Sequence, residues 1–273
     1  MNEVGIERLC VFGMPPVPFV ELAADLGCSC IGIGLTASRY YNPHGYPDWS
    51  LRDDPSLRRE MVAALRDRGV RITLLEGFAV VPGKDVRELA GDLDLLCALG
   101  GNRINAVSMD RDMQRTMDGF AVLAELAGAR GIEVTIEIGP GPIANLPAAM
   151  AAVRHVGRPN FRLLIDTMHY FRFGGSIDEI AAIDPGLIGY VQLSDVPRVS
   201  PYASYMEEAL HERMVPGTGE LPLGDFVALL PPDVVVSLEV PQRSLAEAGV
   251  SPRDRVAACV DAARKLLLEK EVR

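Results

Sequence analysis

Short runs rich in β-branched and aliphatic residues alternate along this chain with longer amphipathic segments whose apolar positions recur at helical spacing. Residues 7–13 read as a strand and 17–27 as the helix behind it, closed by a glycine. A second unit runs from strand 28–35 through a polar loop carrying Arg39, Tyr40, Tyr41, His44 and Trp49 to a helix over 54–69, where Asp54 before Pro55 suits an N-cap with proline in the first turn. The alternation continues with strand 70–75, helix 86–100, strand 103–108, helix 112–131 and strand 132–138. It closes with helix 146–156, strand 161–166, short helix 177–183, strand 188–194, a long loop, helix 223–230, strand 234–240 and helix 252–269.

Eight βα units in succession predict a parallel sheet, because each strand must cross back through a helix before it pairs again. Eight also suffice to close the sheet, and 273 residues match the length of one such barrel. The expectation is therefore α/β, a (β/α)8 TIM barrel occupying residues 1–273 as a single domain. A doubly wound open sheet competes, but it usually carries a glycine-rich phosphate turn after its first strand, and Phe12-Gly-Met-Pro-Pro16 is not one.

Composition narrows the function. A formal charge of −10 disfavours a polyphosphate partner, whose affinity would come from lysine and arginine, so no nucleic acid is expected. No apolar run approaches the length of a membrane span, and no membrane partner is expected. Five cysteines, an odd number without CxxC spacing, fit neither a zinc site nor a disulfide framework, and with an N-terminus lacking a secretion signal they indicate the cytoplasm.

In a barrel of this kind the chemistry sits at the C-terminal ends of the strands. Four successive strands end on oxygen-bearing side chains: Glu137, Asp166, Gln192 and Glu239. Side-chain alternation sets Gln192 on the face of Tyr190 and Ser194, and Glu239 on that of Ser237, while Val191, Leu193, Val236 and Leu238 turn toward the outer helices. One such acid could be a salt bridge or a solvated rim; four converging on one mouth suit a divalent cation. We expect one such ion, Mn2+ first, with Mg2+, Co2+ or Zn2+ as other occupants.

His169, three residues beyond Asp166 and at the start of a loop, would lie near the metal, where it either binds substrate or transfers protons or is simply a hydrogen-bonded loop histidine. Arg198 could hold a substrate oxygen or equally be a surface arginine, and Glu76, ending the third strand, is a wall residue. The loop over 199–221 is long enough for a lid and carries His211-Glu-Arg-Met-Val-Pro-Gly-Thr-Gly-Glu220, so Arg198, His211 and Glu76 are the candidate substrate contacts. Tyr40, Tyr41, His44 and Trp49 could cover a substrate or simply pack their own loop. His155, just before Gly157, reads as a helix C-terminal cap.

Five segments, Ile136-Glu-Ile138, Ile165-Asp-Thr-Met-His169, Gly189-Tyr-Val-Gln-Leu-Ser-Asp195, Pro216-Gly-Thr-Gly-Glu220 and Ser237-Leu-Glu239, together resemble the sugar phosphate isomerase/epimerase family of xylose isomerase-like barrels. That family includes hydroxypyruvate isomerases, ketose 3-epimerases, inosose dehydratases and 3-dehydroshikimate dehydratases. The resemblance implies Glu137, Asp166, Gln192 and Glu239 as metal ligands, Glu137 and Glu239 as the acid/base pair, and His169 and Arg198 as substrate contacts. Many members have histidine at the position of Gln192; the glutamine resembles hydroxypyruvate isomerases and bacterial dehydroshikimate dehydratases.

The implied activity is a metal-dependent isomerase or epimerase acting on a small sugar-like hydroxy-carbonyl substrate through a metal-bound enediolate. The alternative is a lyase, a dehydratase of the 3-dehydroshikimate or inosose type, acting on a cyclic polyol-like substrate. The multi-zinc DNA-repair branch of the same superfamily needs more imidazole than four histidines supply. Barrels of this type commonly form homo-oligomers, and no stretch of the sequence marks an interface.

Overall fold

In the computed structural model, which describes residues 2–37 and 41–272, eight parallel strands close into a barrel in sequence order, the last pairing with the first. The strands are β1 (Val4–Glu7), β2 (Cys30–Ile33), β3 (Arg71–Val80), β4 (Arg103–Ser108), β5 (Glu133–Glu137), β6 (Phe161–Asp166), β7 (Ile188–Leu193) and β8 (Val235–Leu238). Arg39 and Tyr40 lie outside the described residues.

The alternation of side chains divides the core in two. Cys30, Leu74, Leu164, Tyr190 and Val235 fill the barrel interior, whereas Val191, Leu193, Val236 and Leu238 belong to the larger layer between strands and helices. At the N-terminal end of the barrel, Glu133 links Arg103 and Arg162 across three strands at 2.5 and 2.9 Å, tying the strand starts together. Asp54 caps its helix as its sequence suggests, accepting from the amides of Ser56 and Leu57. All five cysteines are free, and among the described residues no helix is long and apolar enough to cross a membrane.

Four local readings change. The first strand ends where the sequence reading starts it: β1 is Val4–Glu7, and Arg8–Val11 forms a 3-10 turn that carries the chain over the barrel mouth. Strand β3 runs on past Leu75 to Val80 after a register shift between Leu75 and Phe78, where Gly77 adopts φ 103°, so Glu76 projects from an irregularity rather than from a strand end. His169 lies not in a loop but in the short helix Thr167–Arg172, which Asp166 caps directly. His155 lies in the last turn of its helix with its ring on Asp118 at 3.2 Å, and Gly157 provides the left-handed C-cap.

The segment 199–221 is not an open lid. It contains the helix Tyr205–His211, capped by Ser204, and is pinned to the barrel by isolated bridges between Asp195 and Met214 and between Glu212 and Gln242. Buried Asp195 organises the turn at 216–219: its carboxylate accepts from the amides of Gly217 and Gly219, each at 2.9 Å, and of Leu221 at 3.1 Å. A Cβ at Gly219 would meet Asp195 Oδ1 at 2.4 Å, which accounts for glycine there.

Candidate metal and active site

The C-terminal mouth of the barrel opens into a cavity of about 440 Å3 whose walls include Glu76, Asn105, Glu137, His169, Arg213 and Glu239. Asp166 and Gln192, each 1% exposed, are not on the cavity wall but bond to groups that are: Asp166 to Arg213 and Gln192 to Glu76 and Glu239. Glu137 is fixed from two sides: Asn105 Nδ2 donates to its Oε2 at 2.7 Å, and His169 Nε2 lies 3.1 Å from its Oε1. The other imidazole nitrogen pairs with the Tyr205 hydroxyl, so the helix at Tyr205–His211 orients the ring. One oxygen of Asp166 caps the His169 amide at 2.9 Å; the other takes the Arg213 guanidinium at 2.6 Å.

Arg213 is the group that sequence reasoning passed over, although it lies inside a quoted run. It is 4% exposed and held by the carbonyls of Ala209 and Glu239, and its Nη1 spans Asp166 Oδ2 at 2.6 Å and Glu239 Oε2 at 3.1 Å. Its electrostatic effect differs between the two acids. Burial pushes the Asp166 carboxyl up, but Arg213, with His169 behind it, outweighs burial and holds it at about 2. For Glu239 burial wins over Arg213, and Glu76, Asp166 and Glu137 add to it, so this carboxyl stands well above its ordinary range.

Glu76 accepts from Arg8 Nε at 3.0 Å and from Gln192 Nε2 at 3.3 Å. Gln192 Nε2 also points at Glu239 Oε1, 3.4 Å away, which leaves its Oε1 buried with no partner among the described residues. His211 lines a smaller chamber next door, not the main cavity. Arg198 is turned outward: its backbone amide donates to Glu220 at 2.7 Å, its carbonyl accepts from Arg172, and the residue is exposed and absent from the cavity wall.

The donor set fits a divalent cation on two observations. Ligand atoms of Glu137, Asp166 and His169 lie within 4.8 Å of one another, and the orphaned Gln192 oxygen is a buried acceptor awaiting a positive partner. The charge count agrees: among the described residues the carboxylates of Glu76, Glu137, Asp166 and Glu239 face the guanidinium groups of Arg8 and Arg213. Burial holds Glu239 toward its protonated form, so the other three carboxylates exceed the two guanidinium groups by one negative charge.

Beneath the site, Glu7 is fully buried in the barrel and accepts from the Tyr190 hydroxyl at 2.8 Å. It lies so close to the backbone of β2 that a Cβ at Gly32 would meet its Oε2 at 1.7 Å. Burial, reinforced by Glu76, raises its carboxyl to about 8 against an ordinary 4.5. The folded state therefore holds this proton more tightly than the unfolded chain, so its contribution is greatest below pH 4.5 and is lost as pH rises to about 8. Glu7→Gln keeps an acceptor for Tyr190 without the proton. In chelator, its stability relative to the parent should rise between pH 5 and pH 8 by up to about 1.4 kcal/mol per pH unit. Urea unfolding at several pH values measures this, and parallel pH profiles for the two proteins would contradict it.

A family model described as xylose isomerase-like TIM barrel matches residues 20–266. The chain belongs to that family. It is 28% identical over 203 residues to a 3-dehydroshikimate dehydratase of Pseudomonas putida, a match covering 74% of this chain and only 28% of that protein's length. Among solved structures, the IolI protein with a bound zinc superposes with a TM-score of 0.79 at 16% identity, over 97% of this chain and 98% of that one. An L-ribulose 3-epimerase gives a TM-score of 0.72 at 16% identity, over 100% and 96%. Both likenesses speak for the fold.

Proposed function

We propose that the protein is a divalent-metal-dependent isomerase or epimerase that moves a proton beside the carbonyl of a small sugar-like substrate. The observation that carries this reading is the placement of Glu137, Asp166, Gln192 and Glu239 at the C-terminal ends of four adjacent strands, Glu137 and Glu239 on the cavity wall and the buried Gln192 oxygen without a partner among the described residues. These four would hold the ion, with His169 beside them. When bound, the ion supplies Lewis acidity to the carbonyl and hydroxyl oxygens of the substrate, and Mn2+, Mg2+, Co2+ and Zn2+ all suit such a donor set.

Glu137 and Glu239 are the pair that removes and returns the proton. Asn105 holds Glu137 from one side and His169 from the other, so its carboxylate is presented in one orientation. Arg213 does the same for Glu239 and keeps a positive charge over the face where negative charge develops.

A second reading has its own support. His169, tethered by Tyr205 and within reach of Glu137, could protonate a departing β-hydroxyl, and the relative in Pseudomonas putida is a dehydratase. Both readings share the first proton transfer and differ in whether a hydroxyl leaves. Assay of a ketose panel alongside 3-dehydroshikimate and inosose with Mn2+ separates them. Mn2+ at a hundred times its dissociation constant should add about 2.7 kcal/mol to stability, read as a rise in melting temperature over chelator-treated protein. Turnover that persists undiminished in chelator would remove both readings.

A further inference from the structure

A second chamber of about 150 Å3 opens beside the main cavity, and Arg8, Leu9 and Leu210 line both. A void of that size, when apolar, accommodates one benzene ring. The lining differs in kind from that of the main cavity: beside the shared Arg8, the side chains of Phe12, Met14, Tyr41, Trp49 and His211 surround it, and among the described residues no carboxylate does.

These walls are built rather than incidental. Phe12 has φ 45°, the only positive value at a non-glycine among the described residues, a strained backbone that brings its ring edge-on to Tyr41 at 4.9 Å. Arg255 stacks over the same ring at 5.2 Å. Trp49 Nε1 donates to the Gly13 carbonyl at 3.1 Å, locking the second loop onto the first, and the Tyr41 hydroxyl donates to Glu247 at 2.8 Å. Tyr41 also meets His211 edge-on at 5.4 Å, and His211 Nδ1 is buried without a partner among the described residues. A second sugar ring would bring several hydroxyl groups into a chamber where the Tyr41 hydroxyl and Trp49 Nε1 are already bonded and Arg8 and His211 supply the remaining polar side chains, whereas an aromatic ring matches its faces and needs few polar partners.

We propose that the substrate has two parts, a hydroxy-carbonyl head at the carboxylate cluster and an aromatic ring, tethered past Leu9 and Leu210, that occupies this chamber. The proposal rests on the head-group reading above.

The test uses hydroxyacetone, which is the head alone, and 1-hydroxyketones bearing a phenyl ring on zero to three methylenes, titrated calorimetrically into the Mn2+-loaded protein. At the best tether length the phenyl compound should bind at least about fivefold more tightly than hydroxyacetone, as burial of a ring in an apolar chamber requires. Met14→Trp, which fills the chamber, should bring that ratio close to one, and Tyr41→Ala, which removes a wall, provides the same reading should the first variant not fold. A smaller ratio at every tether length, or a ratio untouched by the folded variants, overturns the aromatic-ring proposal while leaving the head-group reading in place. If hydroxyacetone itself fails to bind, the head-group reading falls and this proposal with it.

Discussion

Glu239→Gln should lower turnover by about a thousandfold while leaving the barrel folded and the cavity shape unchanged, the scale expected when a positioned acid/base is removed. The residue is 5% exposed and sits among Arg213, Gln192, Glu76 and Asp166, so an amide of the same shape keeps its packing. It loses the ability to accept or return a proton. Stability should not fall much, since burial and three neighbouring acids already oppose charge at this position and the amide carries none. The loss should therefore appear in kcat, with a smaller rise in KM and a weaker affinity for Mn2+ from the missing ligand.

Exchange of the substrate's carbon-bound proton with D2O, followed by NMR, divides the roles of the two glutamates. If Glu137 abstracts and Glu239 returns the proton, Glu239→Gln keeps exchange and loses product, and Glu137→Gln loses both. If Glu239 does both, only its own variant abolishes exchange. A Glu239→Gln protein within tenfold of the parent on its best substrate would remove Glu239 from the acid/base pair.

The parts of the site that lie on strands were legible because a strand repeats every two residues and a barrel puts its chemistry at one end. Those two rules suffice to set Glu137, Asp166, Gln192 and Glu239 at the C-terminal ends of adjacent strands, and in the structure Glu137 and Glu239 line the cavity while Asp166 and Gln192 are buried beside it. Groups delivered by irregular backbone were not legible. Arg213 follows Gln192 by more than twenty residues and reaches the site only because two isolated bridges and the bond from its amide to the Pro241 carbonyl pin its segment across two strand ends. Arg198 was the more visible arginine, being just beyond β7, yet the turn built on Asp195 and Glu220 carries it outward. The boundary of β1 failed for a related reason: residues 8–11 are apolar enough to pass for strand but wind into a 3-10 turn, which is what sets Arg8 on Glu76 and Phe12 in the aromatic chamber.

Arg213→Met should destabilise the protein by about 3–5 kcal/mol at pH 7 in chelator, because it removes the cation that pairs with ionised, buried Asp166 beside Glu239 and strands that charge. Methionine approximates the length of the arginine stem and keeps its volume, while the charge is lost together with the bonds that the guanidinium donates to Ala209 and Ser194. Its pH dependence identifies the cause. Arg213 helps hold the folded-state carboxyl of Asp166 at about 2, against an ordinary 3.8, so the stability this contributes is present above pH 3.8 and is lost as pH falls through about 2. Without the guanidinium, burial dominates at Asp166 and the acid prefers its protonated form, which lower pH supplies. The gap between parent and variant, read from urea unfolding, should therefore narrow steadily from pH 7 to pH 3. Mn2+ should narrow it at neutral pH as well, since a divalent cation among the same oxygens replaces the lost charge. A deficit below about 1 kcal/mol at pH 7, or one that stays constant with pH, would mean that Arg213 acts through packing alone and that the two acids do not depend on it.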